Sequence, residues 1–214
     1  MFVAGTFGEL IVNYFSRRLP LFIGVIILFV MGVVFGSLAV QTLSEPERAD
    51  LSRYLENFYT SFSQELATAN KQVLARQGIV DNIIKTSGLM WLLGLTVIGA
   101  PFILGIIFIR GFVIGFTVGF IIEQMVFKGV AVAVTSILPH NILIIPAILL
   151  AGGATLSFAL SAARTLLGAQ ENIYNQFLSC TFLVLVSCGI LALAAFVEAY
   201  ITPVFVHLTQ GLFV

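Results

Sequence analysis

The chain has 214 residues, of which 59% are hydrophobic and only 9% charged, against roughly 25% charged in an ordinary soluble domain. That balance excludes a water-soluble fold and predicts an integral membrane protein, because too few polar side chains remain to cover a soluble surface. Ten basic and ten acidic side chains cancel, which removes the electrostatic case for nucleic acid as a partner.

Taken in order, the apolar blocks predict an all-α integral membrane protein with five transmembrane helices. The first span is 19–40, preceded by Arg17 and Arg18, whose position favours a cytoplasmic N-terminus. It has no small-x-small cleavage pattern after a short core, so it is expected to be a retained span and not a secretion signal. Residues 41–87 carry most of the charge and form the one sizeable soluble element, an extracytoplasmic helical connection. Ser44, Pro46 and Glu47 have the spacing of a capping box at a helix start. Beyond it, Leu51, Leu55, Phe58, Phe62 and Leu66 fall at three- and four-residue intervals on one face. That stripe either lies on the bilayer interface or forms a partner-binding surface.

The second span is placed at 89–109 and the third at 111–127, with Arg110 at a tight turn between them. A turn at Gly99, Ala100 and Pro101, with Arg110 inside a longer third helix, is the alternative; it puts a charge in the span at about 2.5–3.5 kcal/mol. Gly111, Gly115 and Gly119 share one face of the third span, beside a ridge of Phe112, Phe116 and Phe120; Gly32 and Gly36 form a shorter version in the first span. Glycine faces favour close helix packing in lipid. The sequence leaves open whether these faces meet each other or their copies in a homodimer.

Residues 128–141, with Pro139, His140 and Asn141, are expected to form an external loop or a broken helix at the surface. The fourth span is 142–163, followed by an inside connection carrying Arg164, and the fifth is 177–201, leaving the C-terminus external. Cys180 and Cys188 lie eight residues apart in one apolar stretch, about 12 Å along a helix. That is too far for an intrahelical disulfide, so both are expected to be packing residues.

Glu123 and Glu198 are the acidic residues inside the apolar blocks. With His140 they form a polar layer near the outer interface, which is the minimal condition for metal or proton chemistry. The competing readings are interfacial helix ends, contact with lipid headgroups, and for Glu123 a charge partner in Lys128 or Lys85. No HExxH, GxSxG or phosphate-cradling loop occurs. No catalytic residue, metal set or cofactor is therefore assigned; a small transporter or channel using the two glutamates is the alternative to a binding role.

LMWLLGLTVIGAP from Leu89 to Pro101, RGFVIGFTVGFIIEQM from Arg110 to Met125, SILPHNILIIPA from Ser136 to Ala147 and VEAYITP from Val197 to Pro203 together resemble the stage II sporulation protein M family. Length and five-span layout resemble it too. In distant relatives an acid follows PHG; here Leu143 and Ile144 occupy that neighbourhood, which argues against a metal site on His140. The resemblance implies a non-catalytic scaffold in the mother-cell septal or engulfing membrane. It would gather the stage II sporulation proteins D and P, which remodel peptidoglycan during engulfment of the forespore.

Overall fold

A computed structural model describes residues 2–54, 76, 78–168 and 172–201. All secondary structure among them is helical. Helix α1 is Phe2–Gln41, α2 covers residues 45–54 of the described chain, α3 is Leu89–Gly94, α4 is Gly99–Ser136, α5 is Leu138–Leu166 and α6 is Ile173–Phe196. Two π-helical segments, Val80–Gly88 and Val197–Ile201, lead into α3 and out of α6.

Among the described residues four stretches, not five, are long and apolar enough to cross a membrane: Arg18–Gln41, Gly99–Gln124, Leu138–Leu166 and Ile173–Tyr200. The predicted second span fails because α3 stops at Gly94. The chain then reverses through residues 95–98, with Thr96 N donating to Leu93 O at 3.0 Å and Gly99 N to Thr96 Oγ1 at 3.1 Å. A Cβ on Gly99 would lie 2.5 Å from the carbonyl carbon of Leu93, so the turn requires glycine there. Pro101 falls in the first turn of α4, where its missing N–H breaks no helical bond.

The predicted break at Arg110 is also absent. Helix α4 runs unbroken from Gly99 through Arg110 to Ser136, which joins the separate spans predicted at 89–109 and 111–127. The charge is tolerated inside the helix because its guanidinium donates to Thr86 Oγ1. Of the loop or broken helix expected at 128–141, the structure has the break, a turn at Ile137 between two helices, with Pro139 in the first turn of α5. The last part of the connection 41–87, Val80–Gly88, packs into the bundle and buries Asn82, Thr86 and Ser87 there.

Helices α1 and α4 run parallel and meet through their glycines. A Cβ on Gly36 would lie 2.8 Å from the carbonyl carbon of Phe112, and one on Gly115 would lie 2.7 Å from that of Val33. Gly32 faces the backbone of Phe108 and Phe112, and Gly111 faces Phe29 and Val33. Gly119 is looser, with Ser37 Cα 3.2 Å from its Cβ position. The two faces therefore meet each other within one chain, and a homodimer through them has no free surface to use. Phe108, Phe112, Phe116 and Phe120 form a ladder beside this seam, with ring centroids 6.2–6.5 Å apart.

Helix α5 is the central element: two-thirds of its apolar midsection is buried, a larger share than in α1, α4 or α6. Its Gly152 admits the Ile107 side chain and its Gly153 the ring of Phe22. The main core gathers Val25 and Phe29 from α1, Met90 from α3, Ile103 and Ile107 from α4, Ile144, Ala147, Ile148 and Leu156 from α5, and Leu191 and Ala194 from α6. Outward faces stay apolar, as on α1, where Ile23, Ile26, Ile27, Val30 and Val34 are about half exposed. Lipid covers such a stripe in a multi-pass membrane protein.

Candidate functional site

The bundle has two polar ends and a polar layer between them. At one end, here termed the lower, Arg18 of α1 donates to Ser157 O at 2.9 Å, Ser161 Oγ at 3.0 Å and Gln176 Oε1 at 2.5 Å. One planar guanidinium thus ties α1 to α5 and α6, a geometry that a fork of fixed donors suits.

At the upper end, α1 finishes at Gln41 and the chain turns into α2. Glu47 Oε2 accepts from Ser44 N at 2.8 Å and Ser44 Oγ at 2.7 Å. The first of these is the carboxylate half of the predicted capping box. The Ser44 hydroxyl, followed by its backbone N–H, holds the Glu47 carboxyl below its ordinary value. Arg48, one residue further, donates to Val40 O in the last turn of α1 at 3.2 Å and to Leu43 O in the connection that follows at 3.0 Å. The same guanidinium ion-pairs with Glu123 of α4. Arg48 is thereby a clasp across the top of the α1–α4 glycine seam, and it ties the first turn of α2 to both helices.

The sequence-predicted polar residues separate. Glu123 ion-pairs with Arg48, and Lys85 pairs with Asp81 at 2.6 Å, while the side chain of Lys128 lies outside what the structure describes. Glu198 Oε2 lies 3.1 Å from the point where Gly78 would carry a Cβ. His140 Nε2 is 3.1 Å from Asn141 Nδ2, and its Nδ1 is buried with no partner among the described residues. Glu123, His140 and Glu198 therefore make three local arrangements, and among the described residues no group of three or more His, Cys, Asp or Glu could hold a metal ion. Cys180 and Cys188 are both free, and Cys180 is buried among Ala151, Ala154 and Phe158. Of the predicted partner stripe, Leu51 is half-buried on α2; Leu55, Phe58, Phe62 and Leu66 lie outside the described residues.

Sequence reasoning missed Arg48, Arg18 with its acceptors, and the contact of Gly78 with Glu198. Arg48 carries one local signal, its place in the first turn after the capping box. The others join residues more than a hundred positions apart, for which sequence spacing holds no information.

Among known proteins, no solved structure matches this chain. An uncharacterized protein of Methanocaldococcus jannaschii is 29% identical over 180 residues, covering 83% of this chain and 91% of the relative. The family description stage II sporulation protein M matches residues 25–203, from within α1 through the second π-helical segment and just beyond. The seam, the central α5 and Glu123 and Glu198 all fall inside that match. The chain belongs to the stage II sporulation protein M family.

Proposed function

We propose that this sporulation-family membrane protein is a scaffold. It gathers the stage II sporulation proteins D and P, which cut peptidoglycan, at the septal or engulfing membrane of the mother cell. It catalyses nothing itself. On this reading the N-terminus is cytoplasmic and the upper end faces the wall.

The observation that carries the reading is the double anchorage of α2. The Ser44–Glu47 hydrogen bonds set where the helix starts, and Arg48 locks its first turn to both α1 and α4. A helix fixed this way can hold Leu51, the first residue of the stripe read from the sequence, in a defined position, as a docking surface requires. A transporter using Glu123 and Glu198 together draws less support, because Glu123 is engaged by Arg48 while Glu198 faces Gly78.

Co-purification from membranes tests the scaffold. Wild-type protein should retain both partners; Phe58→Asp with Phe62→Asp should release them while the protein still inserts and runs as one species in detergent. Retention of both partners by that inserted variant would remove the stripe as the contact surface, and capture of neither by wild type would end the scaffold reading.

A further inference from the structure

The segment that precedes α3 descends through the bundle. Gly111 and Gly115 of α4 meet Phe29 and Val33 of α1 in the same order along both helices, so α1 and α4 both rise and the chain has to come down between them. Gly78 packs on Ala195 and Glu198, at the end of α6 remote from Gln176 and Arg18. Thr86 receives Arg110 midway, and Gly94 meets Thr155, two residues from the Ser157 carbonyl that Arg18 holds at the lower end. This descent is too polar to be one of the four apolar stretches, and its two sides differ. Asn82, Thr86, Ser87 and Met90 are buried, whereas Asp81, Ile84, Lys85 and Leu92 are exposed on the side turned away from the bundle.

That outward side carries charge at membrane depth. Lys85 pairs with Asp81 at 2.6 Å, and 70% and 55% of the two side chains are exposed. Arg110 stands near the middle of the Gly99–Gln124 stretch, so Thr86 beside it is near the mid-plane, and Lys85 is the next residue up the segment. Asp81 lies roughly 6–8 Å above Thr86 by helical rise, inside a hydrocarbon half-thickness of about 15 Å. Charged side chains at such depth ordinarily face other protein, because pairing alone does not offset the loss of water. Gly88, one turn below Lys85, adds a second feature. No described residue of another helix lies within 4 Å of the position its Cβ would take, so a neighbouring backbone can approach closely there. The outer face of α1, by contrast, is apolar along its length and suits lipid.

We propose that this outward side is a dimer face, on which the same segment of a second copy of the chain packs about a two-fold axis along the membrane normal. A second copy fits by charge. It brings an acid and a base one turn apart in the register they hold here, so Asp81 of each copy meets Lys85 of the other, and the four charges alternate and cancel. Gly88 lets the two backbones come close enough for those side chains to reach across. The glycines of α1 and α4 are used within one chain and do not compete. The dimer is independent of the scaffold reading, since docking on α2 uses a different element.

Subunit counting by photobleaching of singly labelled full-length protein, diluted in liposomes, tests it. Wild type should bleach in two steps. Asp81→Lys, which sets like charges together, and Gly88→Leu should each weaken association at least about tenfold. The swap Asp81→Lys with Lys85→Asp restores the alternation of charge and should restore the dimer. A wild type that stays monomeric, or a dimer unaffected by both single substitutions, would overturn the face. Cross-linking checks the occupant. In a Cys180→Ala, Cys188→Ala background, oxidation in native membranes should link Ile84→Cys and Leu92→Cys each to its own copy and leave Ile27→Cys, 55% exposed on the outer face of α1, unlinked. Linkage through position 27 alone, or of positions 84 and 92 to a different protein, would rule out a second copy there.

Discussion

Arg48 bridges α1 and α4, donating to Val40 O of α1 and to Leu43 O just beyond it while ion-pairing with Glu123 across the seam. Both side chains keep partial solvent contact, 22% and 36% exposed, so the Coulomb attraction alone is modest. The hydrogen bonds to the helix end make Arg48 the more sensitive partner. Arg48→Glu should lower the thermal midpoint in detergent more than Glu123→Gln does, since it takes the donor from Leu43 O and sets two carboxylates together. The reciprocal swap, Arg48→Glu with Glu123→Arg, should recover only part of the loss, because the new arginine starts from α4 and not from beside the carbonyls. Full recovery would show that the ion pair, and not the capping of α1, is what matters.

The glycine seam predicts a sharp contrast between positions on the same helices. Gly36→Leu or Gly115→Leu must displace backbone, which cannot give way as a flexible side chain can. Each should cost at least about 3 kcal/mol, the upper range for overpacking. Gly24 and Gly105 face open space, with nothing within 4 Å of the position a Cβ would take. Gly24→Ala or Gly105→Ala should be neutral or gain about 0.5–1 kcal/mol from helix propensity. Reversible unfolding in mixed micelles measures both; a tolerated Gly36→Leu would mean that the seam is looser than this packing.

Local features are legible in the sequence, and pairings between distant segments are not. Spacing alone yields the glycine faces, the Phe ladder and the Ser44–Glu47 start, because each is set by helical periodicity within a few residues. It cannot say that Gly36 meets Phe112, nor that Glu123 meets Arg48 at a separation of 75 residues. Arg110 misleads for a related reason. A lone charge in an apolar run reads as a boundary until its partner is known, and Thr86 lies 24 residues earlier. The π-helical segments have no periodicity distinct from an α-helix over so short a length. Thr86 marks one of them through its hydroxyl, which donates to Asp81 O, five residues back, at 3.0 Å.

Arg18 holds the lower end as Arg48 holds the upper, but through neutral acceptors on two other helices. Arg18→Ala should cost about 2 kcal/mol, the scale of hydrogen bonds to a charged group at a partly buried site. Arg18→Lys should recover little, since one ammonium cannot reproduce three directed contacts from a planar fork. Unfolding free energies of the two variants check this; a lysine variant as stable as wild type would reduce Arg18 to a positive charge at the membrane surface.

Arg110 and Thr86 predict opposite responses to apolar replacement. In Arg110→Leu the membrane-depth charge disappears, and the Thr86 hydroxyl keeps its bond to Asp81 O, so nothing in this pair is left unsatisfied and stability should hold or rise. In Thr86→Val the guanidinium loses its hydrogen-bond partner while remaining charged and half-buried. The cost should be about 1–3 kcal/mol, the penalty of stranding a buried polar group. The double variant should be close to Arg110→Leu alone, and a double-mutant cycle reports the coupling directly. Additive effects would show that Thr86 does not support Arg110.

The start of α2 should be acid-sensitive. Glu47 is held below its ordinary value of 4.5 by the Ser44 hydroxyl and backbone N–H, so the folded state favours the carboxylate. A depressed folded value means the contribution is fully present above the unfolded value and is lost as pH falls through the folded one. Amide hydrogen exchange in residues 45–54, corrected for the intrinsic pH dependence of exchange, should therefore show constant protection from pH 7 to about 5 and a decline below about 4. Ser44→Ala removes the hydroxyl bond but keeps the backbone one, so its decline should begin at higher pH and be smaller. Equal acid sensitivity in Glu47→Gln would remove Glu47 as the group behind the transition.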